Sequence, residues 1–151
     1  MKLAEALILR ADTQRRFEQL RQRLLNNAKV QEGDEPNEKP EKLLKEIGKT
    51  ADELEKLIKQ INKTNSETQF DKNITLTDIL AERDVLEKRR GVYFSLANQA
   101  TVTEQRYSRS EIKFISTVDV SKIQKHADDL AKRHRELDAK IQELNWKTDL
   151  I

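Results

Sequence analysis

The chain has 151 residues, enough for one domain with a single hydrophobic core but too few for two independent domains. Charged residues make up 37% of it, while Gly, Pro and aromatic residues are scarce, a composition typical of long helices rather than sheets. The formal net charge of +2 argues against recruitment of nucleic acid by charge alone, and the absence of cysteine excludes disulfides, thiolate metal sites and a cysteine nucleophile.

The first predicted helix covers residues 2–27. Its apolar stripe advances in alternating steps of three and four residues, which keeps one face of a helix against its neighbours. Two polar residues, Arg10 and Thr13, lie on this stripe. Further apolar side chains surround the first turns, more than one bundle face can bury. We therefore predict an oligomer interface there, formed by Leu3, Leu7, Ile8 and Leu9.

Residues 27–40 contain both prolines, one glycine and a cluster of acids, so we predict an exposed connector. The second helix, residues 41–65, has the most regular stripe of the chain. It consists of Leu44, Ile47, Ala51, Leu54, Ile58 and Ile61.

The third helix is predicted over residues 76–105, after a polar segment rich in turn residues. Its stripe carries Arg83 and Arg90 at positions where a simple bundle would have leucine. The next segment, residues 106–120, is rich in β-branched and aromatic residues, which favours a short extended crossing or strand.

The last helix is predicted over residues 120–146, with Ser121 or Asp119 as its N-cap and His134 on its stripe. Three apolar residues at the C-terminal end are expected to dock back onto the body: Trp146, Leu150 and Ile151. The pattern as a whole predicts an all-α fold: a single domain over residues 1–151, built as an elongated antiparallel bundle of about four long helices.

The polar residues on the apolar stripes are the candidate ligand-binding positions: Arg10, Arg83, Arg90 and His134. Buried charge needs partners, so carboxylates are expected beside them, the candidates being Asp84, Glu87, Glu136 and Asp138. One interpretation is a set of polar contacts that fix the helix register. The alternative is a pocket for an anion or substrate within the bundle.

No known catalytic pattern is present: the sequence has no Gly-rich phosphate loop, nucleophile elbow or zinc-protease motif. Neither histidine belongs to the Glu-x-x-His pair of a helical carboxylate metal site. We therefore expect no catalytic residue, cofactor or metal. A candidate surface contact consists of Arg106, Tyr107 and Arg109, which could stack on a base or bind phosphate. The acids Glu104 and Glu111 flank these residues, so a nucleic-acid partner is the weaker interpretation.

The N-terminal sequence predicts the start of a helix, because its apolar patch is interrupted by Glu5 and lacks the cleavage site of a signal peptide. No stretch approaches the roughly 18 apolar residues of a membrane span. We therefore expect a cytoplasmic protein.

Six segments spread over nearly the whole chain share the sequence pattern of one bacterial family: MKLAEALILRAD, NAKVQEGDEP, INKTN, LTDILAERD, RYSRSEIKFISTVDV and RELDAKIQELNWKTDLI. Together they resemble the family often labelled septicolysin, a domain of unknown function. The label implies a pore-forming haemolysin. The resemblance implies no catalytic residue.

Three functions remain open at this stage. The first is a non-enzymatic protein that self-associates into a homo-oligomer through its apolar N-terminal turns. The second is a membrane-active, cytolysin-like protein whose amphipathic helices reopen onto lipid. The third is a small anionic ligand-binding protein or an enzyme that uses the stripe arginines.

Overall fold

The structure, a computed structural model, describes residues 1–103 and 112–151, and within these ranges the protein is all-α, as predicted. Four helices are present in the described residues: α1 (Leu3–Asn26), α2 (Pro40–Glu67), α3 (Leu76–Ala100) and α4 (Val120–Lys147). The chain divides into two compact units, Met1–Thr77 with Glu143–Ile151 and Asp78–Gln142. The single domain and the elongated shape stay predictions.

A small antiparallel hairpin, which the sequence did not predict, joins α2 to α3. Its strands are β1 (Gln69–Asp71) and β2 (Ile74–Thr75). Asn73 in the turn has a φ of 59°, a left-handed conformation that asparagine tolerates better than most residues. The hairpin is fastened to the end of α2, because Leu76 N donates to Thr68 O at 2.8 Å.

In the first unit, α1 and α2 pack as an antiparallel pair. Their connection is closed where Glu38 N donates to Asn27 Oδ1 at 3.0 Å and the Arg23 guanidinium hydrogen-bonds the Glu38 carboxylate. Pro40 then starts α2, where its missing N–H costs no hydrogen bond. The loop therefore returns the chain directly alongside α1.

The buried stripe of α2 overlaps the predicted one only in part: Ile61 is buried as predicted, but Leu43, Thr50 and Leu57, each one residue before a predicted position, are buried as well. Leu43 is 2% exposed and Leu44 is 56% exposed, so the prediction of Leu44 on the stripe was wrong. The stripe also includes Thr50 and Thr64, whose hydroxyls donate to carbonyl oxygens four residues earlier at 2.9 and 2.8 Å. Because these hydroxyls are satisfied within the helix, threonine can occupy buried positions that the apolar pattern passes over.

The two ends of the chain meet in the first unit. Two backbone hydrogen bonds connect them, Leu3 N to Thr148 O and Leu150 N to Met1 O, both at 2.9 Å. A third fastens the C-terminus to α2, where Ile151 N donates to Thr64 Oγ1 at 3.1 Å. Lys2 Nζ adds an ion pair to Asp149 at 2.8 Å. Backbone groups thus dock the C-terminal residues, whereas Trp146, expected to dock, is 55% exposed.

In the second unit, α3 ends at Ala100, five residues before the predicted end. The next three residues, Thr101, Val102 and Thr103, are all β-branched, which disfavours continuation of the helix. The Thr101 hydroxyl donates to Ala97 O at 2.8 Å and satisfies one of the last carbonyls of α3.

The connection to α4 is irregular in its described parts, residues 101–103 and 112–119, which contain no strand. Asp119 is the N-cap of α4, because its Oδ1 accepts a hydrogen bond from Lys122 N at 3.2 Å. Ser121, the other candidate cap, lies inside the helix.

Candidate functional site

Arg83 of α3 is held by two carboxylates. Its Nη2 and Nε atoms donate to Asp84 Oδ1 at 2.9 and 3.1 Å, and its Nη1 atom donates to Asp138 Oδ1 of α4 at 3.1 Å. Burial by itself lowers the pKa of Arg83, but the hydrogen bonds to Asp84 and Asp138 outweigh burial and raise that pKa. Arg83 is therefore a fully charged contact between α3 and α4.

Glu87 of α3 is shared by Arg90 and His134, which the structure brings together. Arg90 donates from Nε and Nη2 to its two carboxylate oxygens at 3.0 and 2.5 Å, and His134 Nε2 of α4 lies 4.0 Å from Oε2. The hydrogen bond from Arg90 lowers the pKa of Glu87 and outweighs the opposing effect of burial. Arg90 also lies over the Phe94 ring, with Cζ 5.8 Å from the ring centre.

Tyr93 of α3 stacks on His126 of α4, with ring centres 4.2 Å apart and ring planes at 22°. Sequence reasoning missed His126 because it lies off the apolar stripe of its helix. Three contacts now run along the pair in opposite residue order: Arg83 with Asp138, Glu87 with His134, and Tyr93 with His126. The two helices are therefore antiparallel, with polar contacts at three places along the pair.

These contacts leave little for an anion to bind. The guanidinium groups of Arg83 and Arg90 face carboxylates of the same unit, so their charge is already neutralised. This geometry supports the interpretation of register-fixing contacts over a pocket built on the stripe arginines. Arg10, the remaining candidate, belongs to the first unit. It lies half-buried in α1 and makes no ion pair with a described residue.

Two further arginines of the second unit, Arg89 and Arg133, line a groove between α3 and α4. It encloses ≈ 260 Å³ and is lined by Glu82, Val85, Leu86 and Arg89 of α3 and by Leu130 and Arg133 of α4. Its floor is apolar because Leu86 and Leu130 are buried. Arg89 and Arg133 make no ion pair with any described residue. The sequence did not predict this groove, because the spacing of residues along one helix cannot reveal a groove that two helices form together.

The predicted oligomer interface on α1 is only partly available. Leu3 is fully buried in the core of its own unit, so its assignment to an interface was wrong. Leu7 is half-buried, whereas Ile8 and Leu9 are exposed. Leu25, near the C-terminal end of α1, is exposed as well and was not predicted.

The candidate surface contact formed by Arg106, Tyr107 and Arg109 lies outside the described residues. Among residues 1–103 and 112–151, no group of three or more His, Asp or Glu side chains is placed to hold a metal ion. None of the described helices combines the length and apolar character needed to cross a membrane.

The fold defines the chain as an all-α protein, in which the ion pair between Arg83 and Asp138 joins α3 to α4. It matches the model described as "Family of unknown function (DUF6847)" over residues 10–150, and it belongs to that family. It is also similar to a functionally unknown conserved protein from Corynebacterium diphtheriae, whose crystal structure aligns with a TM-score of 0.94 at 49% identity, covering 100% of this chain and 99% of that one. No curated protein matches the chain.

Proposed function

We propose that the protein is a non-enzymatic interaction protein that self-associates through the outer face of α1, which bears Ile8 and Leu25. The observation that carries the proposal is the exposure of these side chains, 55% and 53%, on a helix whose other face is already buried. Covering exposed apolar surface removes it from water, which favours association.

Analytical ultracentrifugation at about 10–100 µM tests the proposal, because weak association through a small apolar surface is expected in that range. Ile8→Glu should shift the protein towards monomer. Val92→Glu is the matched control: it changes the net charge equally at an exposed apolar position on α3. A wild-type protein that is strictly monomeric would contradict the proposal, as would dissociation by Val92→Glu and not by Ile8→Glu.

An anionic ligand is a second candidate, favoured by the groove rather than by the stripe arginines. Arg89 and Arg133 form no ion pair with a described residue, although Glu82 lines the same groove, and they stand beside an apolar floor. Thermal-shift measurements with a panel of phosphorylated and carboxylated metabolites test this candidate. A stabilisation that disappears in Arg133→Met would support it, and no response across the panel would remove it.

Membrane activity is the remaining alternative, and it rests on the resemblance to the septicolysin-labelled family. Neither the family description nor the similar crystal structure mentions a pore, so no other observation supports it. Dye release from liposomes that contain anionic lipid or cholesterol is the direct test. Intact vesicles at micromolar protein would remove this alternative. The cytoplasmic location also stays a prediction.

A further inference from the structure

The outer face of α1 carries a continuous stripe of six exposed residues, which we call the outer stripe. Its members are Ile8, Ala11, Arg15, Glu18, Gln22 and Leu25. They are separated by steps of three, four, three, four and three residues, so they share one helix face, as in a coiled-coil seam. At 3.6 residues per turn, the centre of this face lies about 140° around the helix from the centre of the buried stripe.

The outer stripe is symmetric about its midpoint, between Arg16 and Phe17. Positions at equal distances from that midpoint form three pairs: Ile8 with Leu25, Ala11 with Gln22, and Arg15 with Glu18. An apolar residue therefore mirrors an apolar residue, a small one mirrors a polar one, and a cation mirrors an anion. On the flank, Asp12 and Arg21 mirror each other with opposite charges as well.

We propose, building on the self-association proposed above, that two copies of α1 pair antiparallel along the outer stripe about a two-fold axis at this midpoint. A two-fold interface must be complementary to itself. The pairing places Ile8 against Leu25 of the second copy and Arg15 against Glu18 of the second copy, each twice. A parallel pairing in register would instead place Arg15 against Arg15 and Glu18 against Glu18, which is repulsive.

The surface at the midpoint fits close approach of a second helix. A shallow depression lies there, lined by Ala11, Gln14, Arg15, Glu18 and Gln19. Ala11, at one edge of the depression, leaves room for a side chain of the second helix because its own side chain is short. Charge complementarity and the concave surface at the same point thus favour a second copy of this helix as the occupant.

The charges are already arranged in alternation along α1. Arg15 pairs with Asp12, and Arg21 Nη1 lies 3.7 Å from Glu18 Oε2 within the same helix. Exposed ion pairs contribute little free energy, so these charges select orientation and register while the apolar ends supply burial. The stripe spans about 27 Å of helix, a small interface, and the association is therefore weak, in the micromolar range.

A charge-swap experiment tests the register. Arg15→Glu alone places its new carboxylate against Glu18 of the second copy, and Glu18→Arg alone places its new guanidinium against Arg15 of the second copy. Each variant should therefore dimerise about tenfold more weakly than the wild type. An equimolar mixture of the two variants restores opposite charges at both contacts. Sedimentation velocity should accordingly show dimer in the mixture at a concentration where each variant is monomeric.

Cross-linking provides the second readout, since the chain has no cysteine of its own. Under mild oxidation, Ile8→Cys mixed with Leu25→Cys should form a disulfide-linked heterodimer. Leu9→Cys mixed with Leu25→Cys is the matched control, because Leu9 is exposed but lies off the outer stripe.

The outcomes separate the two proposals. If the wild-type protein stays monomeric, self-association itself is overturned and the register with it. If the wild type associates, yet mixing the charge variants restores nothing or Leu9→Cys cross-links as well as Ile8→Cys, the antiparallel register is overturned while self-association stands.

Discussion

The hydroxyl of Thr64 gives a direct measure of how firmly the C-terminus is docked. This buried hydroxyl donates to Gln60 O at 2.8 Å and accepts the hydrogen bond from Ile151 N at 3.1 Å. Thr64→Val removes both bonds with little change of volume. Thr50→Val is the matched control, because the equally buried Thr50 donates to Glu46 O at 2.9 Å and accepts no hydrogen bond in the described residues.

The difference between the two variants isolates the bond to the C-terminus. Both lose one hydroxyl-to-carbonyl bond and bury one extra methyl group, so these effects cancel. A net hydrogen bond contributes about 1 kcal/mol, and because Ile151 is partly exposed, water can replace the lost acceptor without a further desolvation cost. Thr64→Val should therefore be less stable than Thr50→Val by about 1 kcal/mol, or about 2–4 °C in Tm for a chain of this length.

Urea unfolding followed by circular dichroism measures the difference, provided that the denaturant slope is the same for both variants. Deletion of Ile151 completes a double-mutant cycle: in the shortened chain, Thr64→Val and Thr50→Val should cost the same. Equal stability of the two variants in the full-length chain, within about 0.3 kcal/mol, would refute the reasoning.

Three further predictions test other parts of the first unit. In urea unfolding, Leu43→Ala should lower the free energy of unfolding by about 2–5 kcal/mol and Leu44→Ala by less than about 0.5 kcal/mol. A larger loss in Leu44→Ala than in Leu43→Ala would contradict the observed burial of Leu43. The hydrogen bond from Lys2 lowers the pKa of Asp149. This pair therefore stabilises the fold fully above the pKa of an unfolded Asp carboxyl, near about 4, and its contribution is lost as the pH falls through the lower pKa of the folded protein. An NMR titration should show the pKa of Asp149 below its usual range in the wild type and within that range in Lys2→Met. Trp146, the single tryptophan, should be quenched by acrylamide nearly as strongly in the folded as in the unfolded protein, and a shielded emission would disprove its exposure.

Much of the helical architecture follows from local pattern. The steps of three and four apolar residues give all four helices, and the same steps place Arg83 and Arg90 on a stripe where burial requires carboxylate partners. Those partners were predicted as a set of nearby acids, and the structure contains Asp138 and Glu87 among them. The stacking of His126 on Tyr93 was not predictable, because it depends on how two helices face each other.

Sequence by itself therefore determined that this protein is all-α, with charged residues on its seams, because helix formation and the need to pair buried charge are local properties. Tertiary structure decided which side of the predicted stripe of α2 is buried most deeply. Leu43 is buried rather than Leu44, on the same side of α2 as Thr50 and Thr64. These threonines pack as apolar residues do because their hydroxyls donate to carbonyl oxygens of the same helix. Tertiary structure also decided which apolar residues of α1 remain on the surface: Leu3 is covered where the chain ends meet, and Ile8 is left outside.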